Sequence, residues 1–261
     1  MTETPSLHLA LLVCDTPHPR VHEKYGDYKI MFPHVFSLAG GDEQKLTWEP
    51  FDVREMSYPS LDDLSNGKYD GIVMTGSAAS AYEDEPWILK LVEFVGLMRT
   101  EPYLSKVRMV GICFGHQIMA RACGGVCERN EKGWEFGLYA VKLTSEGKEV
   151  FHTDKEVINI SQVHRDHVSK LPSGFKTLAT TAPHTPIHSM LSDDKQCISI
   201  QGHPEFNRDT VRILIEARIE SGVLTKEVGE KFLENLSNAG SEVEDIWLTK
   251  QFIQFLQGKL V

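Results

Sequence analysis

Residues 111–117 read Gly-Ile-Cys-Phe-Gly-His-Gln and follow the run Val107, Arg108, Met109, Val110. The pattern predicts a strand entering a tight turn, with Cys113 at its apex and a helix beginning near His116. Gly-x-Cys-x-Gly is the thiol counterpart of the hydrolase nucleophile elbow. A side chain on so sharp a turn needs a strained backbone, and flanking glycines leave room for it. A helix that starts just after the turn aims its first amides at the sulfur and favours the thiolate, the reactive form. Taken alone, the seven residues also fit a buried structural cysteine beside a turn.

A second segment removes much of that ambiguity. Residues 196–206 read Gln-Cys-Ile-Ser-Ile-Gln-Gly-His-Pro-Glu-Phe, a short apolar strand ending in His203-Pro204-Glu205. In an extended chain, residues two apart project to the same side. Pro204 fixes its own φ and biases His203 toward an extended conformation. Glu205 can then reach the His203 ring and set its tautomer. Cys113, His203 and Glu205 thus make a nucleophile, a general base and an orienter.

A thiolate that attacks a carbonyl needs donors for the oxyanion. The residue after the nucleophile commonly supplies one backbone N–H, here Phe114. A second is expected from Gly76-Ser77, which follow Val73-Met74-Thr75 at the carboxyl end of a predicted central strand, where α/β sites form.

Gly111 to Gln117 and the late Gly202-His203-Pro204-Glu205 resemble the marks of class I (triad-type) glutamine amidotransferase domains. The layout is similar to one branch, the stand-alone γ-glutamyl peptidases of plants, over residues 9 to about 256. Stretches at 12–15, 69–77, 112–118 and 197–207 carry that similarity. The resemblance implies a three-layer α/β fold, flavodoxin-like, with a mostly parallel central sheet flanked by helices and a strand-rich extension. It implies a cysteine hydrolase of γ-glutamyl amide bonds, in glutamine or γ-glutamyl peptides, working through a γ-glutamyl thioester. The alternative is a glutaminase subunit that passes ammonia to a separate synthase partner. Gly76 and Ser77 match the family's oxyanion loop, although Ala78 and Ala79 stand where a glycine or proline is common. Gln117 matches the glutamine-binding residue after the nucleophile. His164, Arg165 and Asp166 match a His-x-Asp loop, with Asp166 toward a substrate ammonium and Arg165 toward a carboxylate. No cofactor and no metal are implied.

The elements that must position these residues are legible. Residues 7–14 form a continuous apolar run, as in a strand buried on both faces. Further strands are expected at 45–53, 69–75 and 107–113, and helices at 28–38 and 86–99. In the second helix Ile88, Leu91, Val92 and Val95 recur at helical spacing. Pro33 is expected in the first turn of the 28–38 helix, and Gly124-Gly125 should end the helix that follows the elbow. Alternating strands and helices imply a parallel sheet covered on both faces. Beyond Gly137 the pattern changes to strands at 138–144, 156–163, 175–181, 186–192 and 196–201, then helices through 207–258. No repeat or linker appears, so one domain is expected over 1–261. The loosest stretch, 237–241, reads as a joint between two helices.

Composition narrows the partners. The 261 residues carry 27 Lys and Arg against 37 Asp and Glu, a net charge of −10. With no basic cluster, this argues against nucleic acid and anionic membrane surfaces. No apolar run reaches the length of a membrane span. Residues 1–6 are polar and lack the basic start of a secretion signal. The five cysteines are odd in number and point to free thiols and a cytoplasmic setting, with nuclear presence also compatible. Cys14 and Cys197 are expected to pack as small hydrophobes. Cys123 and Cys127 lack a second cysteine pair, so zinc is not expected there. His164, His167, His184 and His188 are expected in solvated loops, since Pro183 and Pro186 forbid a helix that would align the second pair.

Overall fold

The apolar run at the start of the chain becomes the inner strand β1 (Ser6–Val13), and its two faces divide the molecule into layers. Leu9, Leu11 and Val13 face one core and Ala10 and Leu12 the other. The computed structural model describes residues 6–240 and 242–260. Of the polar 1–6 segment only Ser6 is therefore described, and Ser241 of the 237–241 stretch lies outside the description.

After β1 come the helices α1 (Pro19–Tyr25) and α2 (Tyr28–Gly40), then β2 (Lys45–Asp52), α3 (Leu61–Ser65), β3 (Gly71–Met74), α4 (Pro86–Met98), β4 (Arg108–Ile112) and α5 (Phe114–Ala122). The strand-rich part holds β5 (Val126–Arg129), β6 (Glu135–Leu143), α6 (Ser145–Val150), β7 (Val157–His164), β8 (Asp166–Lys170), β9 (Phe175–Thr180), β10 (Ser189–Ser192) and β11 (Cys197–Ile200). Three helices close the chain: α7 (Arg208–Glu220), α8 (Lys226–Asn238) and α9 (Asp245–Leu256).

Nine strands form one sheet in the order β2-β1-β3-β4-β11-β10-β9-β6-β7. The first five run parallel, and the pairs from β11–β10 outward are antiparallel. Helices α2, α7 and α9 cover one face, with Phe32, Phe36, Val211, Ile215 and Phe252 buried; α4 and α5 cover the other through Ile88, Leu91, Val95 and Ile118. This is the expected three-layer α/β fold. Strands β5 and β8 pair apart from the main sheet.

Two local expectations are corrected. Pro33 lies inside α2, not in its first turn. It leaves one backbone carbonyl without its helical donor, and the helix persists because Met31, Phe32, Val35 and Phe36 are buried against the sheet. The histidines are not all in solvated loops. His164 and His188 are buried, and His167 and His184 are half-buried. Pro183 and Pro186 do lie outside any helix, but β10 follows them and draws His188 inside.

Candidate active site

Strand β4 delivers Cys113 to the carboxyl edge of the sheet, and α5 begins at the next residue rather than at His116. Cys113 has φ 52° and ψ −105°, a left-handed-side conformation that an L-residue adopts only when its surroundings impose it. They do so by close approach. A Cβ on Gly111 would stand 2.6 Å from the Gly115 carbonyl oxygen, and one on Gly115 would stand 2.8 Å from the Met74 backbone. Both positions need glycine for strand, turn and helix to fit together. The Cys113 N–H donates to the Ile200 carbonyl (2.8 Å), which ties the elbow to the neighbouring strand β11.

That strand leads directly to His203. Its Nδ1 is 2.8 Å from Glu205 Oε1, and both residues are buried. The His203 N–H donates to Ser161 O (2.8 Å) and the Ser161 hydroxyl donates to Phe206 O (2.9 Å), so β7 anchors the turn at both ends. Nε2 is buried without a hydrogen-bond partner among the described residues. Burial disfavours a charged ring, but the Cys113 sulfur and then the Glu205 carboxylate outweigh it and lift the His203 pKa from 6.5 to about 10. Gly76 packs against the same ring: a Cβ there would stand 3.0 Å from His203 Cε1 and 3.6 Å from Cys113 Cβ. The role visible for Gly76 is therefore close approach.

Neither the Phe114 nor the Ser77 backbone N–H has a hydrogen-bond partner among the described residues. The Ala78 N–H, by contrast, is taken by Asp15 Oδ2 at 2.7 Å, and the same oxygen accepts from the Ser77 hydroxyl at 3.0 Å. Asp15, which sequence reasoning missed, thus shapes the 76–79 loop; it is itself held by Arg54 at 3.2 Å.

A cavity of about 210 Å³ beside Cys113 is lined by residues 77–80, Gln117, Trp134, residues 163–166 and Arg218. It gathers Gln117, His164, Arg165 and Asp166, each held in a different way. Asp166 Oδ2 accepts from the Ser80 hydroxyl (2.6 Å) and lines the wall. Gln117 is buried, and its Nε2 donates to Asp166 O (3.0 Å) and Gln201 Oε1 (3.1 Å). Gln201 in turn places its Nε2 3.5 Å from Cys113 Sγ. Gln201 was not singled out from sequence, although it lies two residues before His203 and so on the same side of the strand end.

His164 is a spacer rather than a hand. Its Nδ1 is 3.1 Å from Asp166 O and its Nε2 3.1 Å from Glu135 Oε2. Glu135, also missed, accepts from the Thr185 hydroxyl at 2.8 Å and lies 3.3 Å from His184 Nδ1. Burial works against its charge, but His164 and its other donors prevail and its pKa falls to about 2. His188 and His116 lie nearby, and burial pushes each down to about 3, so both stay neutral. Among the described residues no three His, Cys, Asp or Glu side chains are arranged to hold a metal ion. Phe136 is fully buried core, and nearby Trp134 lines the cavity.

A second cavity, about 320 Å³, opens on the His203 side of Cys113. Its walls are mostly apolar, with Pro17, Val21, Tyr28, Phe206, Leu214 and Ala217, and Arg218 is shared with the first.

The chain has recognisable relatives among known proteins. Residues 46–214 match the family model for "Glutamine amidotransferase class-I". The chain is 32% identical over 255 residues to a glutamine amidotransferase-like protein of Schizosaccharomyces pombe, covering 95% of this chain and 98% of that one. It is 34% identical over 225 residues to gamma-glutamyl peptidase 4 of Arabidopsis thaliana, covering 84% of each. Among solved structures, a glutamine amidotransferase from Thermotoga maritima superposes with a TM-score of 0.68 at 19% identity, over 99% of both chains, a likeness of fold.

Proposed function

This chain belongs to the class-I glutamine amidotransferase family, and from that premise we propose that it is a cysteine hydrolase that cleaves γ-glutamyl peptides. Cys113 attacks the γ-carbonyl, with the Phe114 and Ser77 amides as donors to the oxyanion. Cys113 and His203 share one proton, which His203 carries once the sulfur attacks. The same proton goes to the leaving amine as the C–N bond breaks. Water, deprotonated by His203, then clears the γ-glutamyl thioester. Glu205 keeps the ring in register. Asp166 complements the substrate's α-ammonium and Arg165 its α-carboxylate, while Gln117 holds the Asp166 carbonyl and Gln201 in place.

The observation that carries this reading is the second cavity. The amine must depart on the face from which His203 protonates it, and there lies a space of about 320 Å³ with apolar walls. Ammonia needs a space of about one water molecule, roughly 30 Å³. A site for glutamine alone has no use for the remainder.

The test is a product assay on the purified protein with glutamine and with γ-glutamyl dipeptides. The expected result is partner-independent release of glutamate, with higher kcat/KM for the peptides. Cys113→Ser and His203→Ala each remove about 10²–10⁴-fold or more. Glu205→Gln leaves roughly tenfold more activity than either, because the orienter is not the proton acceptor. Glutamine preferred, with peptides inert, would return the protein to the alternative of an ammonia-supplying subunit.

A further inference from the structure

Two guanidinium groups at the mouth of the site hold no carboxylate. Arg165, in the turn between β7 and β8, and Arg218, near the end of α7, both lie over the Trp134 ring, at 5.5 and 5.9 Å from its centroid. Neither guanidinium has a hydrogen bond or ion pair among the described residues. Of the other eight arginines, Arg20, Arg54, Arg99, Arg121 and Arg212 each pair with an aspartate or glutamate, Arg108 and Arg208 bind backbone carbonyls, and Arg129 lies away from both cavities. In a chain of net charge −10, acidic partners are plentiful. An arginine left unpaired beside a reactive thiol is placed for something that arrives. Stacking on an indole holds a guanidinium in plane at little entropic cost and leaves its edge, the fork that fits a carboxylate, free to bind.

Position separates the two arginines. Arg165 lines the polar cavity, where Asp166 and Gln117 also lie. Arg218 lines both cavities and stands with Cys113 at their junction. On the His203 side the other acidic group is Asp15, and it is already engaged by Arg54, the Ser77 hydroxyl and the Ala78 amide. A leaving group seated there meets apolar walls from Tyr28, Phe206 and Leu214 and one uncommitted positive charge.

We propose that Arg218 binds a carboxylate carried by the leaving amine, so that the preferred substrates are γ-glutamyl amides of amino acids or peptides with a free carboxylate and an apolar side chain. The inference rests on the hydrolase reading and refines it. Ammonia leaving from glutamine makes no use of Arg218, and an amidated leaving group forfeits the charge pairing.

The experiment compares γ-glutamyl-leucine, γ-glutamyl-leucinamide and glutamine on the wild type, Arg218→Gln and Arg218→Lys. The wild type is expected to favour the free acid over its amide by about 10- to 100-fold in kcat/KM, the range of a charge-assisted hydrogen bond. Arg218→Gln should lose that factor on the acid alone and change less than about threefold on the amide and on glutamine. Those two substrates also report that the variant is folded. Arg218→Lys keeps the charge without the fork and should fall between. Equal turnover of acid and amide by the wild type, or an equal loss on all three substrates in Arg218→Gln, overturns the assignment while the hydrolase reading stands. A wild type that cleaves no γ-glutamyl amide overturns both.

Discussion

The Phe206 ring lies flat on the His203 imidazole, 4.3 Å between centroids and 7° from parallel. Gly76 meets the ring at Cε1. Packed by Phe206 and tied at Nδ1 to Glu205, His203 has little room to turn. Gly76→Ala inserts a methyl at 3.0 Å from this confined ring. The ring must shift by a few tenths of an ångström, which should cut kcat by about tenfold, less than the roughly 100-fold cost of a misplacement of about 1 Å at a reacting centre. The melting temperature should change little. Near wild-type kcat would mean that the ring is not confined as described.

His203 also makes stability depend on pH in a defined direction. Its pKa is raised in the folded protein, from 6.5 to about 10. The ring's charge interactions therefore stabilise the fold in full below pH 6.5, and that contribution fades as pH rises through about 10. The melting-temperature difference between wild type and His203→Gln should be largest near pH 6 and should shrink steadily toward pH 10. A gap that widens with pH contradicts the assignment.

Thiol labelling separates the cysteines. Cys14 is buried and pushed up to about 12, and burial also raises Cys127 and Cys197. Cys123 is half-exposed, and its contact with Cys197 and the charge of Arg99 lower it despite partial burial. Iodoacetamide should therefore modify Cys113 and Cys123, with the other three protected. A γ-glutamyl substrate analogue and His203→Ala should each slow labelling of Cys113 and leave Cys123 unaffected. Mass spectrometry that finds Cys113 unlabelled would remove it as the nucleophile.

What the sequence could show depended on how local each feature is. The elbow and His203-Pro204-Glu205 are contiguous, and their geometry follows from strand, turn and proline rules acting over a few residues. The apolar run at residues 7–14 and the spacing of Ile88, Leu91 and Val95 are local in the same way; the run feeds both cores and the helix residues one of them. Asp15, Glu135, Gln201 and Arg218 work across distances from 29 residues of chain (Glu135 to His164) to 88 (Gln201 to Cys113), where no periodicity connects them. Asp15 meets Ala78 because β1 and β3 are neighbours in the sheet, and Glu135 meets His164 because β6 and β7 pair in that register. The burial of the histidines is hidden from the sequence for the same reason. Polar residues near prolines look solvated until a strand such as β10 carries them inside.

Glu135 is a positioning residue, acting on the 164–166 turn through His164. Its folded pKa, about 2, lies below the ordinary 4.5. The stability it contributes is present above pH 4.5 and is lost as pH falls through about 2. Glu135→Gln keeps the shape and removes the charge. It should cost about 1–3 kcal/mol near pH 7, and the gap to wild type should close between pH 4.5 and 2. Because the Asp166 carbonyl hangs on the same His164, KM should rise more than kcat falls. Unfolding curves that stay a constant distance apart across that pH range would show the carboxylate to be a spectator.

The acyl side of the site carries a fixed, negatively charged group. Asp166 stands in the polar cavity with its Oδ2 fixed by the Ser80 hydroxyl at 2.6 Å. The backbone beneath it is held by Gln117 and His164 through its carbonyl. A carboxylate so fixed discriminates by charge between an α-ammonium and its absence. A γ-glutamyl amide carries that ammonium, and the matching glutaryl amide lacks it while keeping the same scissile bond. The wild type should prefer the γ-glutamyl compound by about 10- to 100-fold in kcat/KM, the worth of one charge-assisted contact. Asp166→Asn keeps a side-chain oxygen for Ser80 and removes the charge. It should bring the two substrates to within a few-fold of each other, by losing activity on the γ-glutamyl amide rather than gaining it on the glutaryl one. If the variant still discriminates as the wild type does, the ammonium is read by another group, and Asp166 serves only to hold the 77–80 loop through Ser80.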